Sequence, residues 1–211
     1  YLDPGQIERA WKKDPKTLQA YALDDVRETA AIAAILSPSH FIQTQMVPFG
    51  YQTAVVRGST AKIDSLFLRE YLYQGAAIPQ PPPGRAFTGG YTDIFYQGVA
   101  RNVWHCDVTS LYPSIMLQFD LGPRQDRLGL FKTLLKDLRD FRLEAKTHQQ
   151  KAASQADKQY FHALQGAFKI LINSFYGYLG FAQAHFADFE AAAQVTAKGR
   201  EIITTMMNFL K

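Results

Sequence analysis

The chain has 211 residues, 47% of them hydrophobic, with 23 Lys and Arg against 19 Asp and Glu for a formal charge of +4. That much apolar material can bury a sizeable core, and so mild a positive charge is compatible with a phosphate-bearing partner without requiring one. A single cysteine excludes an internal disulfide framework, and no apolar run reaches membrane-spanning length, so a soluble chain with no membrane partner is expected.

From the N-terminus, Asp14-Pro15 meets the capping and first-turn preferences of a helix, on which Tyr21 and Asp25 fall one turn apart. Taken alone, that pair is ordinary helix surface. Ser37-Pro38-Ser39 is expected to close the helix. Residues 41–78 read as helical, with Ser59 ahead of the run Ile63, Leu66, Phe67 and Tyr71. Pro79-Gln-Pro-Pro-Pro83-Gly84 is a stiff extended linker. From Tyr91 to Asp107 the pattern predicts strands, including an alternating hairpin region over Asp93–Gly98. The bulky run Val103-Trp-His-Cys106 suits a buried strand that delivers Asp107 at its end. Pro113 biases Tyr112 away from helix, so the backbone turns with free N–H groups that suit phosphate oxygens. One carboxylate beside such a turn is sensible chemistry for a Mg²⁺ ion shared with substrate phosphates; by itself Asp107 reads as a solvated acid at a strand end.

Leu130 to about Lys151 predicts a helix with the apolar stripe Phe131, Leu134, Leu135, Leu138, Phe141 and Ala145. Arg142 falls on that stripe, with Arg139 and Lys146 close by, and an inward arginine needs an anion. Snorkelling, or pairing with Asp137 or Asp140, would satisfy it; so would a ligand shared with Lys169. In the next helix, Phe161, Leu164, Phe168, Leu171 and Phe175 form the core stripe. Lys169, Asn173 and Tyr176 share another face, extended by His162 and Gln165, that carries no acid. Gly177 and Gly180 are expected to end the helix in left-handed geometry. Joined antiparallel near residues 153–156, the two helices would offer Arg142, Lys146, Lys169 and Asn173 to one triphosphate, Arg as a planar fork and Lys as a point charge. Phe189 to Leu210 closes the chain as an alanine-rich helix.

Asp107-Val-Thr-Ser-Leu-Tyr-Pro-Ser114 resembles motif A, and Lys169-Ile-Leu-Ile-Asn-Ser-Phe-Tyr-Gly177 resembles motif B, of the family B DNA polymerases. Tyr21-Ala-Leu-Asp-Asp25 resembles the family's third exonuclease motif, and Thr88-Gly-Gly-Tyr91 the Gly-Gly element between its proofreading and polymerising domains. The resemblance implies an α+β, mostly helical fold: the end of an exonuclease domain over 1–40, a helical connector and linker over 41–84, palm strands with motif A over 85–125, an antiparallel fingers helix pair over 126–180, and a return to the palm over 181–211. It implies template-directed transfer from a deoxynucleoside triphosphate (dNTP) to a primer 3′-hydroxyl on primer–template DNA, with two Mg²⁺ ions and an intracellular, cytoplasmic or nucleoid location.

Residue by residue, the resemblance makes Asp107 the catalytic carboxylate and a metal ligand together with the Val108 carbonyl. Ser110, Leu111 and Tyr112 would hold phosphates through backbone N–H groups, and Tyr112 would also exclude a 2′-hydroxyl. Arg142, Lys146, Lys169 and Asn173 would grip the triphosphate, with Tyr176 and Gly177 near the nascent base pair. Tyr21 and Asp25 would belong to a 3′–5′ exonuclease metal site. The family's Asp-Thr-Asp hairpin is not found after Gly177, nor are the first two exonuclease motifs before Tyr21, so the chain is expected to be an inactive central piece of a longer enzyme. The alternative is a catalytically dead relative that binds DNA or serves assembly. Neither reading specifies processivity partners.

Overall fold

The structure is a computed structural model that describes residues 2–210. Among them the regular elements are eight α-helices: α1 (Pro4–Lys13), α2 (Pro15–Thr44), α3 (Tyr51–Val56), α4 (Ser59–Tyr73), α5 (Leu111–Gln118), α6 (Leu130–Lys151), α7 (Gln155–Leu179) and α8 (Phe189–Leu210). Helix starts follow local chemistry. The Asp14 carboxylate accepts from the backbone N–H of Thr17 at 3.2 Å, and Pro15 opens α2. Ser154 likewise accepts from Asp157 N–H at 3.0 Å to start α7.

The expected α+β character is not found: no β-strand occurs among the described residues. Residues 76–109 run without regular structure, and Val103 and Trp104, predicted to be buried, are 73% and 93% exposed. The physical reason is pairing. A strand satisfies its backbone N–H and C=O groups only against a neighbour, and no other described segment forms a strand, so the β-propensity of these residues has nothing to act on. Two helix ends also differ from expectation. Helix α2 continues through Pro38 to Thr44, because the turns beyond it are held: Ser39 Oγ donates to Ala163 O at 3.2 Å, Ile42 packs on Ala163 and Ala167, and buried Gln43 accepts from Lys62 Nζ at 2.6 Å. Gly177 lies inside α7, and Gly180 caps that helix at φ −92°, outside the left-handed region.

One core joins α4 to α8. Its centre is aromatic. Phe67 stacks on Tyr178 at 5.4 Å and tilts against Phe186 at 5.0 Å, and Phe131 meets Phe175 edge-on at 5.1 Å. These rings are shut off from solvent, each stabilising the fold by about 2–3 kcal/mol on area alone. Polar ends of the buried tyrosines are satisfied. The Tyr178 hydroxyl donates to Asp64 (2.8 Å), whose other oxygen meets His185 Nδ1 at 2.8 Å, and the Tyr71 hydroxyl donates to Asp126 (2.8 Å). Burial first, then the Asp64 carboxylate, drives the Tyr178 pKa far above its usual value, so the phenol stays protonated.

Helices α6 and α7 form the antiparallel hairpin foreseen from their stripes, with a short connection at 152–154. Ring pairs fix its register. Phe131–Phe175 lies at the base, Phe141–Phe168 in the middle (6.0 Å), and His148–Phe161 (5.1 Å) toward the tip. Helix α8 starts at Asp188, which accepts from Glu190 and Ala191 N–H at 3.1 and 3.0 Å, and runs back beside α5.

Candidate functional site

Asp107 is exposed and lies three residues before Ser110, which holds left-handed angles (φ 53°, ψ 48°) and leads into α5. A non-glycine residue there is strained, and the strain reverses the chain at the helix start. The first intrahelical bond runs from Ser114 N–H to Ser110 O (3.0 Å), Pro113 has no N–H, and so Leu111 and Tyr112 present free backbone donors where the helix field favours an anion. Between residues 106–111 and the last turns of α8 lies a cleft of about 260 Å³, lined by Ile203, Met206, Met207 and Leu210 and apolar apart from Asp107.

The middle ring pair of the hairpin, Phe141–Phe168, fixes the level of the residues that follow each ring, Arg142 and Lys169. Lys146 is one turn nearer the tip and Asn173 one turn nearer the base. Arg142 is half-buried; Lys146, Lys169 and Asn173 are exposed. Among the described residues no acid forms an ion pair with Arg142, Lys146 or Lys169. Asp140, a possible partner for Arg142, instead pairs with Arg139 at 3.0 Å. The three cations are therefore left uncompensated along facing helices. Arg139, close to Arg142 in the sequence pattern, is already committed.

The line Lys169, Asn173, Tyr176 runs down α7 into α5. The rings of Tyr176 and Tyr112 lie 4.5 Å apart, inclined at 38°. This contact joins the turn after Asp107 to the polar face of α7, and Gly177 sits exposed beside it. Burial first, then Tyr112, raises the Tyr176 pKa, whereas Arg200 pulls it down, so the charge of Arg200 reaches the pair.

Residues of α8 complete the site, and the sequence pattern did not single them out. Thr196 Oγ1 donates to Thr88 O at 2.8 Å, and Arg200 Nη1 donates to the carbonyls of Thr88 and Gly89, so one helix face holds the Gly-Gly segment beside Tyr112. The available signal was Gly199, a glycine inside a helix, which costs about 1 kcal/mol against alanine and so asks for a packing reason.

Tyr21 and Asp25 lie one turn apart on α2, half-buried and exposed respectively. Among the described residues no group of three or more His, Cys, Asp or Glu is placed to hold a metal ion. The donors near residue 107 fit a hard cation in kind, one carboxylate and adjacent backbone carbonyls, but supply only part of a coordination shell. No described helix is long and apolar enough to cross a membrane.

Residues 124–211 match the profile of DNA polymerase family B. Over 97% of its length the chain is 28% identical to a DNA polymerase of Archaeoglobus fulgidus, covering 29% of that protein. Over 95% of its length it is 28% identical to a DNA polymerase of Thermococcus gorgonarius, covering 30%. The solved family B DNA polymerase of the hyperthermophilic archaeon Pyrobaculum calidifontis superposes with a TM-score of 0.79 at 24% identity, over 99% of this chain and 32% of that one. The chain thus spans about 30% of the length of the curated relatives it matches.

Proposed function

We propose that this chain, a relative of the family B DNA polymerases along nearly its whole length, is the nucleotide-binding part of a template-directed DNA polymerase. The observation that carries the reading is the Tyr112–Tyr176 contact, which brings the turn after Asp107 to the foot of a hairpin bearing three uncompensated cations. In this reading the triphosphate lies between the two. Backbone N–H groups of Ser110, Leu111 and Tyr112 donate to its oxygens from below; Arg142, Lys146, Lys169 and Asn173 grip it from α6 and α7. Tyr112 underlies the sugar and meets a 2′-hydroxyl with its ring, while Tyr176 and Gly177 border the new base pair.

The reaction is attack of a primer 3′-hydroxyl on the α-phosphate with loss of pyrophosphate, and these side chains position the reactants and neutralise charge. Asp107 and the Val108 carbonyl would hold Mg²⁺, which, when bound, offsets the charge of the reacting phosphates. By their resemblance to the third exonuclease motif of the family B DNA polymerases, Tyr21 and Asp25 of α2 would belong to a 3′–5′ exonuclease site. The partners are primer–template DNA and a dNTP, and the location is intracellular.

The test is Asp107→Ala in the longer polymerase that carries this segment. Primer extension is expected to disappear while DNA binding, measured by fluorescence anisotropy, stays largely intact. Retained extension would remove Asp107 from the metal site.

A further inference from the structure

If Tyr112 selects the sugar, the accuracy of that selection depends on where its ring stands, and the structure confines the ring on several sides. Tyr176 lies 4.5 Å away. A Cβ placed on Gly90 would come 2.7 Å from the Tyr112 hydroxyl oxygen, and one placed on Gly199 would come 3.2 Å from Tyr112 Cε1. Neither glycine adopts left-handed angles, so their backbones do not require glycine; the room for the ring does. Gly199 is also buried inside α8, where glycine is unfavourable and any larger residue would meet Tyr112, Leu111 and Ile115.

The Gly90 side of this enclosure is anchored. Thr196 and Arg200 of α8 hold the carbonyls of Thr88 and Gly89, two residues and one residue before Gly90. Gly199 lies between those two anchors on the same helix. One element therefore borders the ring at Gly199 and clamps the backbone next to Gly90, on the side of its hydroxyl.

We propose that Gly90, Gly199 and Arg200 form the seat of the Tyr112 ring and are positioning residues for discrimination between deoxyribose and ribose. The proposal rests on Tyr112 being the sugar-excluding ring. Gly90 and Gly199 leave the volume the ring fills, and Arg200 keeps the Gly90 wall from retreating.

The experiment measures kcat/KM for a dNTP and the matching ribonucleotide in the longer polymerase, for Gly90→Ala, Gly90→Ala with Tyr112→Phe, Arg200→Ala, Tyr112→Phe and Tyr112→Ala. Displacements near 1 Å cost up to about 100-fold in positioned chemistry, so Gly90→Ala is expected to lower the dNTP-to-ribonucleotide ratio by roughly tenfold, chiefly through KM. Removing the hydroxyl that the new methyl meets should restore the double variant to the ratio of Tyr112→Phe alone. Arg200→Ala, which leaves both glycines in place, should lower the ratio by a smaller factor and keeps the test open should Gly90→Ala not fold. An equal loss on both nucleotides, or no rescue by Tyr112→Phe, overturns the seat. A Tyr112→Ala ratio unchanged from the parent removes the sugar-excluding reading itself; a relaxed Tyr112→Ala beside unchanged Gly90→Ala and Arg200→Ala removes the seat alone.

Discussion

Replacing Asp188 with alanine should be among the costliest single changes at the start of α8, and its size can be worked from the contacts. Asp188 is 7% exposed. One oxygen caps α8 through Glu190 and Ala191 N–H; the other accepts from Arg124 N–H and Nε at 3.1 and 3.0 Å. Losing the bond to Glu190 N–H costs about 1 kcal/mol, as for an ordinary cap, and stranding the buried Ala191 donor adds about 1–3 kcal/mol. The ion pair itself adds little, because the Arg124 side chain is 76% exposed and screened. The sum is about 2–4 kcal/mol, read as the free-energy change in urea denaturation of the 211-residue chain.

The same carboxylate predicts a pH dependence. Burial alone would raise its pKa; the Arg124 guanidinium and the N–H groups of Ala191 and Arg124 outweigh burial and hold it below the ordinary 3.8. The folded chain then binds fewer protons here than the unfolded one. The stabilisation is complete above about pH 5 and is lost as pH falls through the folded-state pKa. Asp188→Asn, which keeps one oxygen for the helix cap, should cost less than alanine and flatten that acid limb. A change below about 0.5 kcal/mol for Asp188→Ala, the level of ordinary surface substitutions, would refute the capping argument.

Two further outcomes are expected. On the proposed shared grip of one triphosphate, Arg142→Ala or Lys169→Ala in a polymerase carrying this segment should raise the KM for nucleotide or slow incorporation by about tenfold or more, and the double variant should lose less than the product; unchanged single-nucleotide kinetics would leave them structural cations. Tyr178→Phe should destabilise the chain by about 1–2 kcal/mol, since the buried Phe186 N–H loses its acceptor at 3.3 Å and Asp64 keeps His185, with nucleotide affinity unmoved; a shifted nucleotide KM would show that this network reaches the site.

Much of the helical frame was legible because its signals are local. The stripes of α6 and α7 and the caps at Asp14 and Ser154 lie within a few residues of what they control, and α6 and α8 begin and end where periodicity placed them. Pro38 misled because the opposing evidence, Ile42 and Gln43 packed on α7 and α4, is distant in sequence. The strands predicted over Tyr91–Asp107 misled for a related reason: β-propensity records fitness for a sheet, and a sheet requires a partner.

The sequence by itself determined the lone Asp107 ahead of Pro113 and the acid-free helix face of Lys169, Asn173 and Tyr176, because residue type and helical spacing are local properties. Tertiary structure alone decided that Tyr112 meets Tyr176 and that α8 holds the Gly-Gly segment beside them. Those outcomes depend on contacts between segments up to about a hundred residues apart, whose partners are selected by packing and burial across the whole core rather than by any pattern within one segment.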